Sequence, residues 1–216
     1  MGILSSDNTL TANPLAVLKP VRESRYYTLS EYLRREEHSR ELHEYYNGII
    51  TKLPMALGPH NIISANMVAE LVIACRAKTE NSNYIVFNSQ QLVYLPELNF
   101  SLYPDVLVVC ETPQYYDKNE VLLINPVLIV EVLSRSTGKY DRTTKFDEYK
   151  TLDSFQEYVL VNQKKCLVET RFKEEPDLWR EKRYTGMNDS VLLKSLDCSI
   201  DMQMIYRNVQ FKKNVR

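Results

Sequence analysis

Apolar residues recur at helical spacing in two segments. In residues 60–78 an apolar residue returns at every fourth position, which predicts a helix with one apolar face. These positions are Ile63, Met67, Leu71 and Cys75. Residues 28–39, TLSEYLRREEHS, predict a shorter amphipathic helix with its apolar residues on one side.

Between these two helices the pattern changes to that of a β-hairpin. Asn47-Gly48 separates two arms rich in apolar residues. A type I′ turn needs positive φ at both central residues, which Asn and Gly tolerate best, so the pair predicts a tight hairpin turn.

Two later segments are continuously apolar rather than alternating, namely residues 103–110 and 126–133. Such runs are typical of strands covered on both faces in the middle of a sheet. Further strands are predicted at residues 84–88, 91–95 and 157–162, with edge strands of a meander at 165–173 and 178–185. A helix is predicted at about residues 140–152. This order predicts an α/β fold in which helices pack on a sheet.

Length and composition predict a single globular domain. The chain has 216 residues, of which 44% are hydrophobic and 25% charged. We expect a loose leader at residues 1–24, one domain at 25–206 and a basic tail at 207–216. No apolar run is long enough for a membrane span. The four cysteines form no CxxC pair, which favours reduced thiols in a cytoplasmic protein over disulfides or zinc ligands.

Net charge does not indicate a nucleic-acid-binding protein, because it is −1 overall. The exception is the tail, whose basic residues are Arg207, Lys212, Lys213 and Arg216. These side chains either contact phosphate groups or remain solvated, and composition does not decide between the two.

Two acidic residues occupy unusual positions in the apolar runs. Glu131 shares a strand face with Ile129 and Leu133, and Asp105 begins the neighbouring run directly after Pro104. Alone, Asp105 is explained as a turn residue and Glu131 as the partner of one basic side chain. Together, two carboxylates entering adjacent buried strands would repel each other, and a divalent cation relieves that repulsion. Hard oxygen ligands favour Mg²⁺ or Mn²⁺.

A lysine on the following predicted helix is a third candidate. Asp141, Lys145, Tyr149 and Leu152 fall on one helical stripe. Packing of Tyr149 and Leu152 on the sheet would hold Lys145 at the margin of the sheet. The alternative is an ordinary solvated lysine.

In order along the chain, these motifs resemble the Uma-type restriction endonucleases, a bacterial branch of the PD-(D/E)xK nuclease superfamily. The matching segments are Glu44-Tyr-Tyr-Asn-Gly48, His60, Tyr103-Pro104-Asp105-Val106, Pro126-Val-Leu-Ile-Val-Glu131, Asp141-x-x-x-Lys145-x-x-x-Tyr149 and Glu157-Tyr158. The resemblance covers roughly residues 25–175 and implies a restriction endonuclease-like mixed central sheet flanked by helices.

The resemblance also implies the residues of a catalytic site. Asp105 and Glu131 are the expected metal ligands, with Glu44 as a third carboxylate from the hairpin. The superfamily usually has a lysine two residues after the second acid, where this chain has Leu133, and the Uma-type proteins place it on the helix, here as Lys145. His60 is expected either to contact substrate or water or to have a capping or packing role.

The function implied is divalent-metal-dependent hydrolysis of nucleic acid phosphodiesters, by a DNA endonuclease that acts as a homodimer. Two alternatives remain at this point. One is a catalytically inactive relative that binds nucleic acid or a protein partner. The other is a protein unrelated to nucleic acid, in which Glu131 and Lys145 form a buried structural ion pair.

Overall fold

The computed structural model describes residues 25–77, 83–134 and 136–211, so the predicted leader and residues 212–216 of the basic tail lie outside the described residues. The helices are α1 (Leu29–Glu37), α2 (Gly58–Arg76), α3 (Gly138–Arg142), α4 (Thr144–Tyr149) and α5 (Met202–Ile205). The strands are β1 (His43–Tyr46), β2 (Ile49–Lys52), β3 (Tyr84–Asn88), β4 (Leu92–Leu95), β5 (Phe100–Leu102), β6 (Val106–Cys110), β7 (Leu122–Leu123), β8 (Leu128–Leu133), β9 (Glu157–Asn162), β10 (Val168–Glu175), β11 (Leu178–Tyr184), β12 (Ser190–Leu193) and β13 (Cys198–Asp201).

The strands form two mixed sheets and a C-terminal hairpin. The first sheet has the order β2-β1-β5-β4-β7, and the second has the order β11-β10-β9-β8-β6-β3. The pairs β4–β7 and β8–β9 are parallel, whereas the other neighbours are antiparallel. The α/β class with a mixed sheet and flanking helices is therefore confirmed, but the strands divide between two sheets rather than one.

The central strands of the second sheet are buried on both faces, as their continuous apolar sequence predicts. Val106, Val108 and Val130 point into a core shared with α2, the C-terminal hairpin and α5. Leu107 and Ile129 point into a second core, shared with the first sheet, α3 and α4. Because every residue of β8 is buried, a charged side chain on this strand must find its partners inside the protein.

Several local predictions are confirmed. Asn47 and Gly48 have φ values of 43° and 102°, and they connect β1 and β2 in a two-residue hairpin. The helix predicted at residues 28–39 is α1, and a capping box of Thr28 and Glu31 begins it. Of the two strands predicted at an edge, β11 forms the edge of the second sheet, whereas β10 lies inside it between β9 and β11.

The helix predicted at residues 140–152 is interrupted. It forms two short helices that meet at Thr143, whose φ and ψ of −121° and −87° are not helical. The carbonyl oxygens of Asp141 and Arg142, which a continuous helix would bond internally, instead accept from the Tyr158 hydroxyl (2.9 Å) and from Arg171 Nη1 (2.7 Å). Four further features were not predicted from the sequence, namely β5, β7, the β12–β13 hairpin and α5. No helix in the described ranges is long and apolar enough to cross a membrane.

Candidate active site

Asp105 directly precedes β6 and lies opposite Glu131 of the neighbouring strand β8. Val106 pairs with Val130 in the antiparallel β6–β8 ladder, so continuing the register by one residue places Asp105 opposite Glu131. Asp105 Oδ2 accepts a hydrogen bond from the Val132 amide at 2.7 Å. This bond holds the chain at the entrance to β6 and fixes the Asp105 carboxylate beside the acidic side chain of β8.

Glu44 reaches the same region from β1 of the first sheet. Its Oε1 accepts from the Tyr103 amide at 3.2 Å, in the segment that leads from β5 to β6 and so from one sheet to the other. Its Oε2 accepts from the Tyr46 hydroxyl at 2.6 Å. The hairpin thus presents a buried carboxylate to the second sheet, as the resemblance implied.

Lys145 lies between Glu131 and Glu44. Its Nζ is 2.9 Å from Glu131 Oε1 and 3.2 Å from Glu44 Oε1, and its side chain is only 5% exposed. Burial lowers the pKa of Lys145, but the charges of Glu131 and Glu44 outweigh burial and hold it well above the ordinary value. The Lys145 ammonium is therefore charged, and it is buried rather than solvated.

Glu131 is the acid most affected by its surroundings. Burial raises its pKa well above the ordinary value, against the opposing effect of Lys145, while Asp141 and Asp105 raise the pKa further. The Tyr149 hydroxyl also donates to Glu131 Oε1, at 3.2 Å. Among the described residues no hydrogen bond reaches Glu131 Oε2, so this oxygen keeps its capacity to accept.

His60 faces Asp105 from the first turn of α2. His60 Nε2 is 3.3 Å from Asp105 Oδ1, and His60 Nδ1 has no hydrogen-bond partner within the described part of the chain. Burial lowers the pKa of His60, but the hydrogen bond and charge of Asp105 outweigh it and leave the pKa raised. The structure therefore brings His60 into the site as a partner of Asp105.

No role was predicted for Asp141, although this residue belongs to one of the segments that resemble the Uma-type proteins. Asp141 is 4% exposed, and burial raises its pKa to about 6 despite the lowering effects of Lys145 and Thr137. Also missed were the buried tyrosines that surround the acids, Tyr46 and Tyr140. They come from separate elements, and no sequence spacing relates them to each other or to Lys145.

The acids outnumber the buried cation in this cluster. Glu44, Glu131 and Asp141 act on Lys145, Asp105 acts on Glu131 and Asp141, and His60 is the other basic group. Within residues 25–77, 83–134 and 136–211, no group of three His, Cys, Asp or Glu side chains is arranged to hold a metal ion. Mg²⁺, however, commonly binds through one or two carboxylates together with waters and substrate phosphate, so the donor chemistry of Asp105 and Glu131 fits this cation.

The cluster opens into a cleft of about 1930 Å³. Small-molecule sites have volumes of roughly 300–1,000 Å³, so this cleft is large enough for part of a polymer. The basic side chains that line it, besides Lys145, are Arg25, Arg35, Lys52 and Lys164. Arg25 and Lys52 are paired with Glu31 and Glu41, so the lining has mixed charge.

Comparison with known proteins gives consistent matches. Residues 29–203 match the model of the Uma2 family, described as "Putative restriction endonuclease". Two uncharacterized proteins of Synechocystis are similar in sequence. The protein sll1609 is 34% identical over 143 residues, covering 66% of this chain and 78% of sll1609. The protein slr1290 is 30% identical over 181 residues, covering 84% of this chain and 92% of slr1290.

A solved structure shares the fold. It is the crystal structure of a "putative nuclease belonging to DUF820" from Anabaena variabilis, with a TM-score of 0.66 and 17% sequence identity. The alignment covers 83% of this chain and 97% of the Anabaena chain. At this identity the similarity concerns the fold.

Proposed function

This chain belongs to the Uma2 family, and on that premise we propose that it is a divalent-metal-dependent endonuclease that hydrolyses phosphodiester bonds of DNA. The observation that carries the proposal is the opposition of Asp105 and Glu131 across two core strands, with Lys145 2.9 Å from Glu131, at the base of a large cleft. Carboxylates and a lysine of raised or lowered pKa in a cleft are typical of catalytic centres.

Asp105 and Glu131 are the residues that would hold Mg²⁺ or Mn²⁺. Bound there, the cation supplies Lewis-acid polarisation of the phosphate and increases the acidity of a water. The carboxylates gain from it as well, since it offsets the burial that chiefly raises the pKa of Glu131 and the repulsion from Asp141 and Asp105 that raises it further.

Lys145 stabilises the negative charge that develops on the phosphoryl oxygens. Two of its three N–H groups face Glu131 and Glu44, which leaves one donor for the substrate. Because the side chain is buried and held on two sides, its charge needs little reorganisation during the reaction.

Glu44 serves in this proposal to hold Lys145, in place of the direct metal ligation that the resemblance implied. Both of its oxygens already accept hydrogen bonds, from Tyr103 and Tyr46, and Oε1 also faces the ammonium. His60 orients a water or phosphate oxygen next to Asp105, to which it is joined at 3.3 Å.

We further propose that the protein acts in the cytoplasm as a homodimer. The four cysteines are free thiols, as expected in a reducing compartment. Cleavage of both strands of a duplex needs two centres, which a two-fold symmetric dimer provides. Light scattering during size-exclusion chromatography measures the mass of the particle, and a monomer at micromolar concentration would contradict this part of the proposal.

One observation favours a second candidate, a catalytically inactive nuclease fold that binds nucleic acid or a protein partner. Lys145 occupies the space between Glu44 and Glu131, and the described residues contain no ready-made three-ligand metal group. In that case the cluster is a buried ion-pair network that stabilises the fold.

A plasmid-nicking assay decides between the two. We expect supercoiled DNA to be cut in the presence of Mg²⁺ or Mn²⁺, to remain intact with a chelator, and to remain intact with Asp105→Asn or Glu131→Gln. A matched control is Glu157→Gln, because Glu157 is equally buried but bonds Ser195 away from the cleft. Binding of DNA without cleavage by the parent protein would support the inactive alternative.

A further inference from the structure

A continuous chain of buried hydrogen bonds connects Glu148 on α4 to the candidate catalytic lysine. The Tyr140 hydroxyl lies 2.5 Å from Glu148 Oε2 and 3.2 Å from the Tyr46 hydroxyl. Tyr46 in turn donates to Glu44 Oε2 at 2.6 Å, and Glu44 Oε1 contacts Lys145 Nζ at 3.2 Å. This series of hydrogen bonds leads from α4 through α3 and β1 and returns to α4.

The number of protons limits how this chain can be bonded. Each tyrosine hydroxyl has one proton to donate. Tyr46 uses its proton on Glu44, so Tyr140 must donate to Tyr46 if that contact is to be a hydrogen bond. Tyr140 then has no proton left for Glu148, and the 2.5 Å contact requires that Glu148 donates to Tyr140. The three contacts need three protons and the two hydroxyls supply two, so a carboxyl group at one end carries the third. Because Glu44 already contacts the ammonium of Lys145, that carboxyl group is Glu148.

We propose that Glu148 is a positioning residue of the catalytic site, and that its proton sets the direction of the hydrogen bonds that run through Tyr140 and Tyr46 to Glu44. Its effect on the reaction rests on the function proposed above. When Glu148 is protonated, the chain is unidirectional and Glu44 is held firmly against Lys145. When Glu148 is ionised, Tyr140 turns its proton to Glu148, and the Tyr46 oxygen loses its donor.

The surroundings of Glu148 support the protonated form. The residue is 6% exposed, and its Oε1 has no hydrogen-bond partner among the described residues. An unpaired carbonyl oxygen is much less costly to bury than the oxygen of an ionised carboxylate. The charged and titratable groups that act on Glu148 are Tyr140, Lys145, Glu44 and Asp147, and burial is the largest effect, raising its pKa to about 7.

The test is the pH dependence of DNA cleavage by the parent and by Glu148→Gln. The glutamine amide is a permanent donor to Tyr140, so it reproduces the protonated state at every pH. The ratio of the variant rate to the parent rate should rise by roughly fivefold between pH 6 and pH 8, the size expected from the loss of one buried hydrogen bond. Groups that titrate in both proteins cancel in this ratio.

Two further variants show whether the effect passes through the tyrosines. In a Tyr140→Phe background the same ratio should be independent of pH, because the hydroxyl that links Glu148 to Tyr46 is absent. Asp153→Asn is the matched control, since Asp153 is an exposed acid just after α4 and is not among the groups that act on Glu148. A flat ratio in the parent background, or an equal rise in the Tyr140→Phe background, would overturn the proposal.

Thermal melting without DNA or metal separates this proposal from the function it rests on. Because the folded protein raises the pKa of Glu148 from 4.5 to about 7, the folded state binds the proton more tightly than the unfolded state. The parent should therefore melt progressively below Glu148→Gln as the pH rises from 5 to 7, with a constant difference above that range. A difference that does not change with pH would refute a titrating Glu148, whether or not the protein cleaves DNA.

Discussion

Lys145 has two carboxylate partners, and this arrangement determines the cost of removing any one of the three side chains. Glu131 and Glu44 share a single buried cation, so loss of one acid leaves the ammonium with a partner. Loss of the lysine leaves two buried carboxylates with no basic partner in direct contact. A buried charge that loses its partner is strongly destabilising.

Lys145→Ala should therefore have two effects. Urea unfolding of the metal-free variant should show a loss of about 3–5 kcal/mol in the free energy of unfolding. Its cleavage rate with saturating metal should fall by about 10²-fold or more, as for the removal of one transition-state donor. Lys150→Ala is the control, because Lys150 is an exposed lysine of the same segment whose contacts, with Asp147 and the Phe146 ring, lie outside the acidic cluster. A Lys145→Ala enzyme with the parental rate would exclude this lysine from catalysis.

Glu44→Gln distinguishes a residue that holds Lys145 from a metal ligand. If Glu44 holds the lysine, Mn²⁺ affinity measured by calorimetry should stay within about threefold of the parent, a difference below 1 kcal/mol. The rate at saturating metal should fall, because Lys145 is less well positioned. A fall in Mn²⁺ affinity of tenfold or more, without a fall in the rate at saturating metal, would instead assign Glu44 as a ligand.

At the residue scale, the acids could be predicted from sequence because they interrupt apolar strands. Glu131 stands among residues that are all buried, and Asp105 precedes such a run. The role of Lys145 came from the family resemblance, since a helical lysine alone carries no such signal. Tyr46, Tyr140 and Glu148 were not predicted, because their contacts depend on how β1, α3 and α4 meet in space.

At the scale of elements, the β1–β2 hairpin positions Glu44. Its two-residue turn fixes the pairing of Glu44 with Thr51, and a shift by one residue would turn the carboxylate to the opposite face of the sheet. Gly48 has a φ of 102°, and a Cβ there would come within 2.6 Å of the Tyr26 ring. Glycine is therefore required at this position by both conformation and space.

Gly48→Ala should lower the free energy of unfolding by about 1 kcal/mol or more, because alanine is strained at positive φ. It should also reduce cleavage more than stability alone accounts for, since the hairpin carries Glu44. Gly58→Ala is the matched control: it begins α2, and a Cβ there has no atom within 4 Å. Urea unfolding and cleavage of both variants provide the check, and equal stability of the two alanine variants would contradict this role of the turn.

The interrupted helix shows where prediction from local pattern fails. The spacing of Asp141, Lys145 and Tyr149 fits a continuous helix, yet Thr143 breaks it. The break is stabilised by Tyr158 and Arg171, which are strand residues and bond the carbonyl groups that the helix leaves free. No window of sequence around Thr143 contains this information.

At the scale of the whole molecule, the site lies where the two sheets approach each other. Glu44 belongs to the first sheet and Glu131 to the second, while Asp105 lies on the connection between β5 and β6. The continuous apolar sequence of the central strands predicted their burial on both faces correctly, but it did not predict the division into two sheets. That division depends on pairings such as β4 with β7, a contact of two residues on each strand.

The melting temperature distinguishes a metal centre formed by the buried acids, as proposed above, from a structural ion pair. Four curves are needed, for the parent and for Glu131→Gln, each with and without Mn²⁺. Because burial raises the pKa of Glu131, the neutral variant should melt at or above the metal-free parent. Mn²⁺ at 100 times its Kd should stabilise the parent by about 2.7 kcal/mol and leave the variant nearly unchanged. A variant that melts well below the metal-free parent, together with no effect of Mn²⁺ on the parent, would contradict the metal centre.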